Sequence, residues 1–246
     1  MTEFQAKNYE NSCNRELFRI IHTLHEHDLM MDDPFTRHYR PRNMQGNRHK
    51  VIRVDLTLLD IRTLKTEAEE ILRGLPDELR RKALRYRRED DQLRSIGSSF
   101  LLLKAAKGQT IHYNESGKPF VDGGNFFNIS HSGDYVVLAE ADCPVGVDIE
   151  RVADIGINDD LLDMAFAERE KLWVKDSLLR FYVVWTRKES IIKCEGRGFE
   201  SEPCEIDALH ENDFDSPVLY KGKYYSVSSF MIDGHVISHA VLTHVR

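Results

Sequence analysis

VGVDIERVAD, residues 145–154, sets the frame for the rest of the chain. Val145, Val147 and Ile149 alternate with Gly146, Asp148 and Glu150, which is the period of a strand with one face in a core. Asp148 and Glu150 then share the opposite face, where two neighbouring carboxylates repel each other unless a cation lies between them. Hard oxygen ligands suit Mg²⁺, which takes one or two carboxylates together with phosphate oxygens and water. Gly146 leaves room for a ligand or for neighbouring backbone. By itself D-x-E is also what a solvated strand carries, so the surrounding sequence has to decide.

Outward from this strand the chain shows one pattern twice. The first round starts with a strand, VIRVDLTLL (51–59). It continues through a helical region ending in LRSIGSSFLLLKAAKG (93–108) and finishes in strands around IHYNESGKPFV (111–121) and NFFNISHSGDYVVLAEA (125–141). The second round starts at Val145 and continues with a helix in LLRFYVVWTRKESIIKCEGRG (178–198). It closes in strands around SPVLYKGKYYSVSSF (216–230) and HVISHAVLTHV (235–245). Strand, helices, then paired strands, repeated, predicts an α+β protein of two similar, pseudo-symmetric α/β halves with the active site in the cleft between them. The halves span residues 49–144 and 145–246. Residues 1–48 form an N-terminal extension, with a helix over 15–31 on the spacing of Leu17, Ile20, Ile21, Leu24 and Leu29, then a polar linker.

Three further stretches carry chemistry. In WTRKESIIKCEGRGF, Glu189 and Lys193 stand at i and i+4, either as a surface ion pair or as a metal ligand or base with a cation beside it. Trp185 one turn earlier packs against Glu189 and orients it, and Gly196–Gly198 stop the helix. In FNISHSGDYVVLA, Phe127, Ile129, Val136 and Leu138 are core positions, and Ser130, His131 and Ser132 lead into a turn at Gly133 and Asp134. A histidine there either closes the turn or donates to a phosphate. In ESGKPFV, the Gly-Lys-Pro element aims Lys118 at an anion or does nothing of note. GxSxG, GxxxxGK[ST] and GxGxxG are all absent, which removes the usual hydrolase and nucleotide-loop readings.

Composition narrows the class. The 246 residues are 41% hydrophobic and 30% charged, with a formal net charge of −7, which argues against general nucleic-acid binding. No apolar run is long enough for a membrane helix and no secretory signal is read at the start, so the expected compartment is the cytoplasm. The four cysteines, at 13, 143, 194 and 204, make no zinc spacing and read as free thiols. His22, His25 and His27 fit no zinc pattern and read as a polar face. RRKALRYRREDDQLR (80–94) holds seven arginines or lysines, a local basic patch suited to a compact anion or to a solvated helix face.

Taken in order and spacing, GKP, FNISHSG, VGVDIE and W-x-x-K-E-S-x-x-K with G-R-G resemble the 4′-phosphopantetheinyl transferases, in the larger monomeric class of two halves. The resemblance covers residues 50–245. It implies transfer of the phosphopantetheine arm of coenzyme A, the substrate, to a serine of an acyl or peptidyl carrier protein, with release of adenosine 3′,5′-bisphosphate. It implies Mg²⁺, with Mn²⁺ as an alternative, on Asp148, Glu150 and Glu189. Glu189 is a metal ligand and either the base for the carrier serine or only a ligand, Lys193 neutralises pyrophosphate charge, and Glu189, Lys193 and Asp148 make up the catalytic set. His131 and Ser130 contact a coenzyme A phosphate, Lys118 and Pro119 line the coenzyme A site, and Arg94, Ser95 and Lys82 meet the 3′-phosphate region. A second basic position there holds Leu79, with Arg80 or Arg81 as substitutes. Partners outside this set, nucleic acid and membrane, are not expected. A non-catalytic relative binding coenzyme A or a carrier protein is the alternative. The apolar residues of VADIGINDDLLDMAF (152–166) are either a carrier-docking face or ordinary helix core.

Overall fold

A computed structural model of the chain describes residues 52–123, 126–175, 177–198, 202–209 and 216–245, with the backbone of three short strands before them. Strand β4 (Val54–Asp60) is followed by helices α1 (Ala68–Gly74), α2 (Asp77–Leu84) and α3 (Glu89–Ala106). A two-residue ladder, β5 (His112–Tyr113) with β6 (Pro119–Phe120), leads to the hairpin β7 (Phe126–Ser132) and β8 (Tyr135–Ala141). The second round is β9 (Val145–Arg151), α4 (Asp159–Ala165), α5 (Glu168–Val174), α6 (Leu178–Glu195), β10 (Val218–Tyr220), β11 (Lys223–Ile232) and β12 (His235–Val245).

The two halves repeat each other in topology. β4 pairs antiparallel with β8, and β8 with β7; β9 pairs antiparallel with β12, and β12 with β11. Between first strand and hairpin each half carries an 18-residue helix, α3 and α6. One apolar cluster joins α1–α3 to the near face of the first sheet through Leu59, Phe127, Val136 and Leu138. Another lies between the sheets, where Leu56, Leu58 and Val137 of the first meet Val147, Ile149 and Ile237 of the second. Further clusters seat α6 on the second sheet through Val183, Val184 and Val236 and through Ile191, Tyr225 and Ala240. The order is helices, sheet, sheet, helices, with alternate residues of each strand facing a different core. Among the described residues no helix is long and apolar enough to cross a membrane.

The stretch before residue 49 differs from its expectation. Where a helix was expected over 15–31, Ile21–Thr23 forms strand β1, parallel to β11, and Leu29–Asp33 forms β2. In the expected linker, Thr36–Tyr39 forms β3, which pairs with both β2 and β4. Backbone pairing with preformed sheet edges outweighs a marginal helical spacing, because a short helix gains little without a packed face. The other positions of that stretch, including Cys13, His25 and His27, lie outside the described residues. Cys143, Cys194 and Cys204 are free thiols, as the spacing suggests.

α6 runs from Ser177, whose hydroxyl accepts from Arg180 N–H at 3.3 Å, to Gly196, which takes φ +76° and closes the helix through its N–H to Ile192 O. A left-handed residue at that point favours glycine. The helix lies directly on β9. A Cβ at Gly146 would stand 2.1 Å from Ser190 O and 2.3 Å from Cys194 N, both backbone atoms. The space at Gly146 is thus filled by neighbouring backbone. Gly146→Ala should therefore force the two elements apart and cost about 3 kcal/mol in urea unfolding, as overpacking does; a loss under roughly 0.5 kcal/mol would show the contact to be soft.

Candidate functional site

Asp148 and Glu150 of β9, Trp185, Glu189 and Lys193 of α6, and Ile129, Ser130 and His131 of β7 line one open cavity of about 300 Å³. Period 2 on β9 and period 4 on α6 bring these side chains to one side of each element. The third wall, β7, is the edge strand of the first sheet. It meets β9 through side chains: Asn128 Oδ1 accepts from Val147 N–H at 2.9 Å, Ser130 Oγ donates to Asp148 Oδ1 at 3.0 Å, and Ser132 Oγ donates to Glu150 Oε2 at 2.8 Å. The cavity is thus built from both halves.

Lys193 does not pair with Glu189 as a surface i,i+4 bridge. Its Nζ lies 2.6 Å from Asp148 Oδ1 and 2.9 Å from Ser130 Oγ. Asp148 is buried, and its other oxygen, Oδ2, has no hydrogen-bond partner. Such an orphaned acceptor is costly in a protein interior and calls for a donor or a cation. Burial, then the charge of Asp148, pushes the Glu189 carboxyl above the ordinary carboxylate range, with Lys193 opposing. Burial and Asp148 do the same to Glu150, against the Ser132 hydrogen bond and Lys193. These three carboxylates are the residues that could hold a divalent cation. Among the described residues no three histidine, cysteine or acidic side chains already stand together as a ligand cluster.

A cationic rim borders this acidic floor. His131 is held below its ordinary pKa first by desolvation against the cavity wall, then by the positive charges of Arg94, Lys193 and Lys82. Arg94 of α3 donates to Gly133 O in the β7–β8 turn and pairs with Asp91. Ser95 is buried with its Oγ unpartnered, and Lys82 is exposed on α2. Leu79 points into the first core, while Arg80 pairs with Asp77 and Arg81 is exposed. Lys118 and Pro119 are not brought into the acidic cavity. They line a separate hollow of about 450 Å³ with Phe120, Val121 and Phe126, and Lys118 Nζ is turned toward backbone carbonyls.

Further contacts fix the geometry of this site. Ser132 steadies Glu150, and its signal was there: S-x-S on β7 has the same period as D-x-E on β9. Lys188, next to Glu189 but on the opposite face of α6, is fully buried, with Nζ 2.5 Å from Glu170 Oε2 of α5. Lys188 also donates to Pro203 O at 2.8 Å and Ile206 O at 2.7 Å, and Glu170 accepts from Ala167 N–H at 2.8 Å and Ala208 N–H at 2.9 Å. Burial pulls Lys188 down and Glu170 up, against their mutual attraction. Trp185 stacks on Phe181 at 6.3 Å, which fixes the wall beside Glu189.

A family model described as the 4′-phosphopantetheinyl transferase superfamily matches residues 144–238. Similar curated proteins include the 4′-phosphopantetheinyl transferase gsp of Aneurinibacillus migulanus, 44% identical over 90 residues, 35% of this chain and 37% of the relative. The 4′-phosphopantetheinyl transferase Sfp of Bacillus subtilis is 31% identical over 145 residues, 54% of this chain and 65% of the relative. The transferase psf-1 of Bacillus pumilus is 31% identical over 170 residues, 61% of this chain and 70% of the relative. The chain thus spans between about a third and two thirds of the length of the first relatives it matches.

Two outcomes follow from the electrostatics. Lys188→Met leaves Glu170 buried without its counter-charge and should cost about 3–5 kcal/mol in denaturant unfolding; a change near zero would mean the pair is unimportant. A carboxyl raised by folding holds its proton longer in the folded chain than in the unfolded one. Stability therefore falls as pH rises from the unfolded value through the raised one. In metal-free buffer Glu189→Gln should raise Tm at pH 7 by about 2 °C, with the gain gone by about pH 4. An unchanged or lower Tm at pH 7 would contradict the strained charge.

Proposed function

This chain belongs to the 4′-phosphopantetheinyl transferase superfamily, and on that premise we propose that it transfers the phosphopantetheine arm of coenzyme A to a serine of an apo acyl or peptidyl carrier protein. The observation that carries the reading is the cavity in which Asp148, Glu150 and Glu189 meet Lys193 and a rim of His131 and Arg94. Acids beside cations in one open cleft suit a pyrophosphate bound together with a divalent cation, and little else so well.

In this reading Asp148, Glu150 and Glu189 would hold Mg²⁺, or Mn²⁺. The fit rests on the all-oxygen donor set and on the partnerless buried Asp148 Oδ2. The cation when bound supplies positive charge against the phosphoryl oxygens as negative charge grows on the leaving group. Lys193 donates from Nζ to a pyrophosphate oxygen, held in place by Ser130 and Asp148. His131, kept neutral by its lowered pKa, orients a phosphate through one ring N–H. The exposed bases of residues 80–94 take the terminal 3′-phosphate.

The carrier serine Oγ forms a bond to the phosphorus that bears the pantetheine arm. The bond from that phosphorus to adenosine 3′,5′-bisphosphate breaks, and the serine proton passes to Glu189 directly or through water. A carboxyl with a raised pKa is a stronger base than an ordinary one, which favours Glu189 for this task. Carriers that serve peptide, polyketide and fatty-acid synthesis present the same serine. For docking, Ile155 at the head of the α4–α5 segment and Met164 and Leu172 on its helices are exposed, whereas Ile157, Leu161 and Leu162 pack on the core. The exposed three are the proposed docking face. The proposed units are 49–144 and 145–246, with 1–48 as an extension, in a monomer acting in the cytoplasm.

Incubation of an apo carrier protein with coenzyme A, Mg²⁺ and the enzyme should add one phosphopantetheine by intact mass. Asp148→Ala or Glu189→Gln should lower that rate about a hundredfold with unchanged circular dichroism. Chelation should stop transfer and added Mg²⁺ restore it. No product with several carrier types and folded enzyme would end this reading, and near-normal rates in both variants would end the metal assignment.

A further inference from the structure

We propose that Lys118 is a positioning residue, which clamps the last turn of α6 to the first residue of β9 and thereby sets Lys193 against Asp148. The inference rests on the transferase reading above. The clamp is built from three carbonyls. Lys118 Nζ donates to Lys193 O at 2.6 Å, to Val145 O at 2.9 Å and to Cys194 O at 3.3 Å. An ammonium has three protons and no acceptor. All three are committed to backbone, so none is left for a phosphate oxygen.

The segment around Lys118 is shaped for this. Asn114 Oδ1 accepts from Lys118 N–H at 2.8 Å and Ser116 N–H at 3.1 Å, and Gly117 N–H donates to Asn114 O at 2.9 Å. The resulting turn faces the end of α6. Asn114 Nδ2 donates to Gly196 O at 2.8 Å, and the Ser116 hydroxyl reaches the same oxygen. The carbonyls of Lys193, Cys194 and Gly196 are at the helix end, where no further turn supplies donors. The first half therefore caps the key helix of the second half, and it does so with a cation at the negative end of the helix dipole. Lys193 is held twice, by its backbone to Lys118 and by its side chain to Asp148 and Ser130. Val145, the other anchor, lies three residues before Asp148 on the same strand.

The position is consequential because both reactive elements end at one ammonium. If it is lost, the last turn frays and Lys193 departs from Asp148. Misplacement on the scale of an ångström costs up to about a hundredfold in turnover. A phosphate contact would instead weaken coenzyme A binding.

The test compares wild type with Lys118→Met, which keeps the chain length and removes the charge. Asn114→Ala/Ser116→Ala, which loosens the cap with Lys118 intact, serves if the first variant does not fold. Steady-state transfer to an apo carrier and amide hydrogen exchange over residues 190–198 are read on each. The expected result is a kcat about tenfold lower, a KM for coenzyme A within about twofold, and faster exchange in the last turn of α6. A KM raised about tenfold with kcat and exchange unchanged would make Lys118 a ligand for coenzyme A and overturn the proposal. Unchanged exchange in both variants overturns it as well. Should wild type show no transfer at all, the transferase reading fails, while coenzyme A affinity by calorimetry and exchange at the helix end still decide the clamp.

Discussion

Everything at the acidic cleft depends on how closely α6 lies on β9. At Gly146 the helix backbone comes so near that no side chain fits between Ser190 O and the strand. That contact fixes the separation between the strand that carries Asp148 and Glu150 and the helix that carries Glu189 and Lys193. Since helix and strand are both stiff, one fixed point and one fixed end determine where four charged side chains meet. The fixed end is the glycine stop at Gly196, capped by a turn from the other half. On the far side of the same helix, the buried Lys188–Glu170 pair resists rotation about the helix axis. Its hydrogen bonds offset a desolvation cost that is large for both ions. Three restraints on one helix leave little freedom at Glu189.

The electrostatic balance of the cleft follows. Folding holds the Glu150 and Glu189 carboxyls above their ordinary range and leaves one oxygen of Asp148 without a donor. Lys193 relieves part of this through Asp148. The remainder is an unfavourable arrangement unless positive charge arrives from outside. Arg94 and Lys82 provide it only at the rim, where they act on His131. The cleft thus has an acidic floor and a cationic rim, a polarity that the proposed metal-bound pyrophosphate would match.

Much of this was legible in the chain because it depends on short-range spacing. Period 2 in VGVDIER and FNISHS marked β9 and β7, and uninterrupted helical residues up to a glycine marked α6. The doubling of strand, helix and hairpin marked two halves. What could not be read depends on contacts across the fold. Nothing near Ile21 indicates that its partner is Ser229. Lys188 and Lys193 look alike in the sequence, yet one is sealed in the core with Glu170 and the other opens on the cavity, five residues further round the helix. The Gly-Lys-Pro turn left open whether Lys118 meets an anion; the carbonyls that accept its protons belong to residues 145, 193 and 194, far from it in sequence.

The repeated topology explains why only one of the two halves carries the acids. Counting from the hairpin turns, Asp60 opposite Tyr135 corresponds to Arg151 opposite His235. Glu150 then corresponds to Leu59, and Asp148 to Thr57. Those two residues face α3 in the first half and are buried, with Leu59 packed where Gly97 of the helix makes room. The two 18-residue helices, aligned end to end, set Glu189 against Phe100, which packs on the first core. The first half thus closes the gap between helix and strand with uncharged side chains, Leu59, Phe100 and Thr57. The second half keeps it polar at the same positions, and it can do so because β7 lies beside it. Ser130 and Ser132 on that neighbouring edge donate to Asp148 and Glu150, beside the one donation that Lys193 of the second half makes to Asp148. A charged gap between helix and sheet is stable only where another element solvates it, and the duplicated fold offers that at one seam.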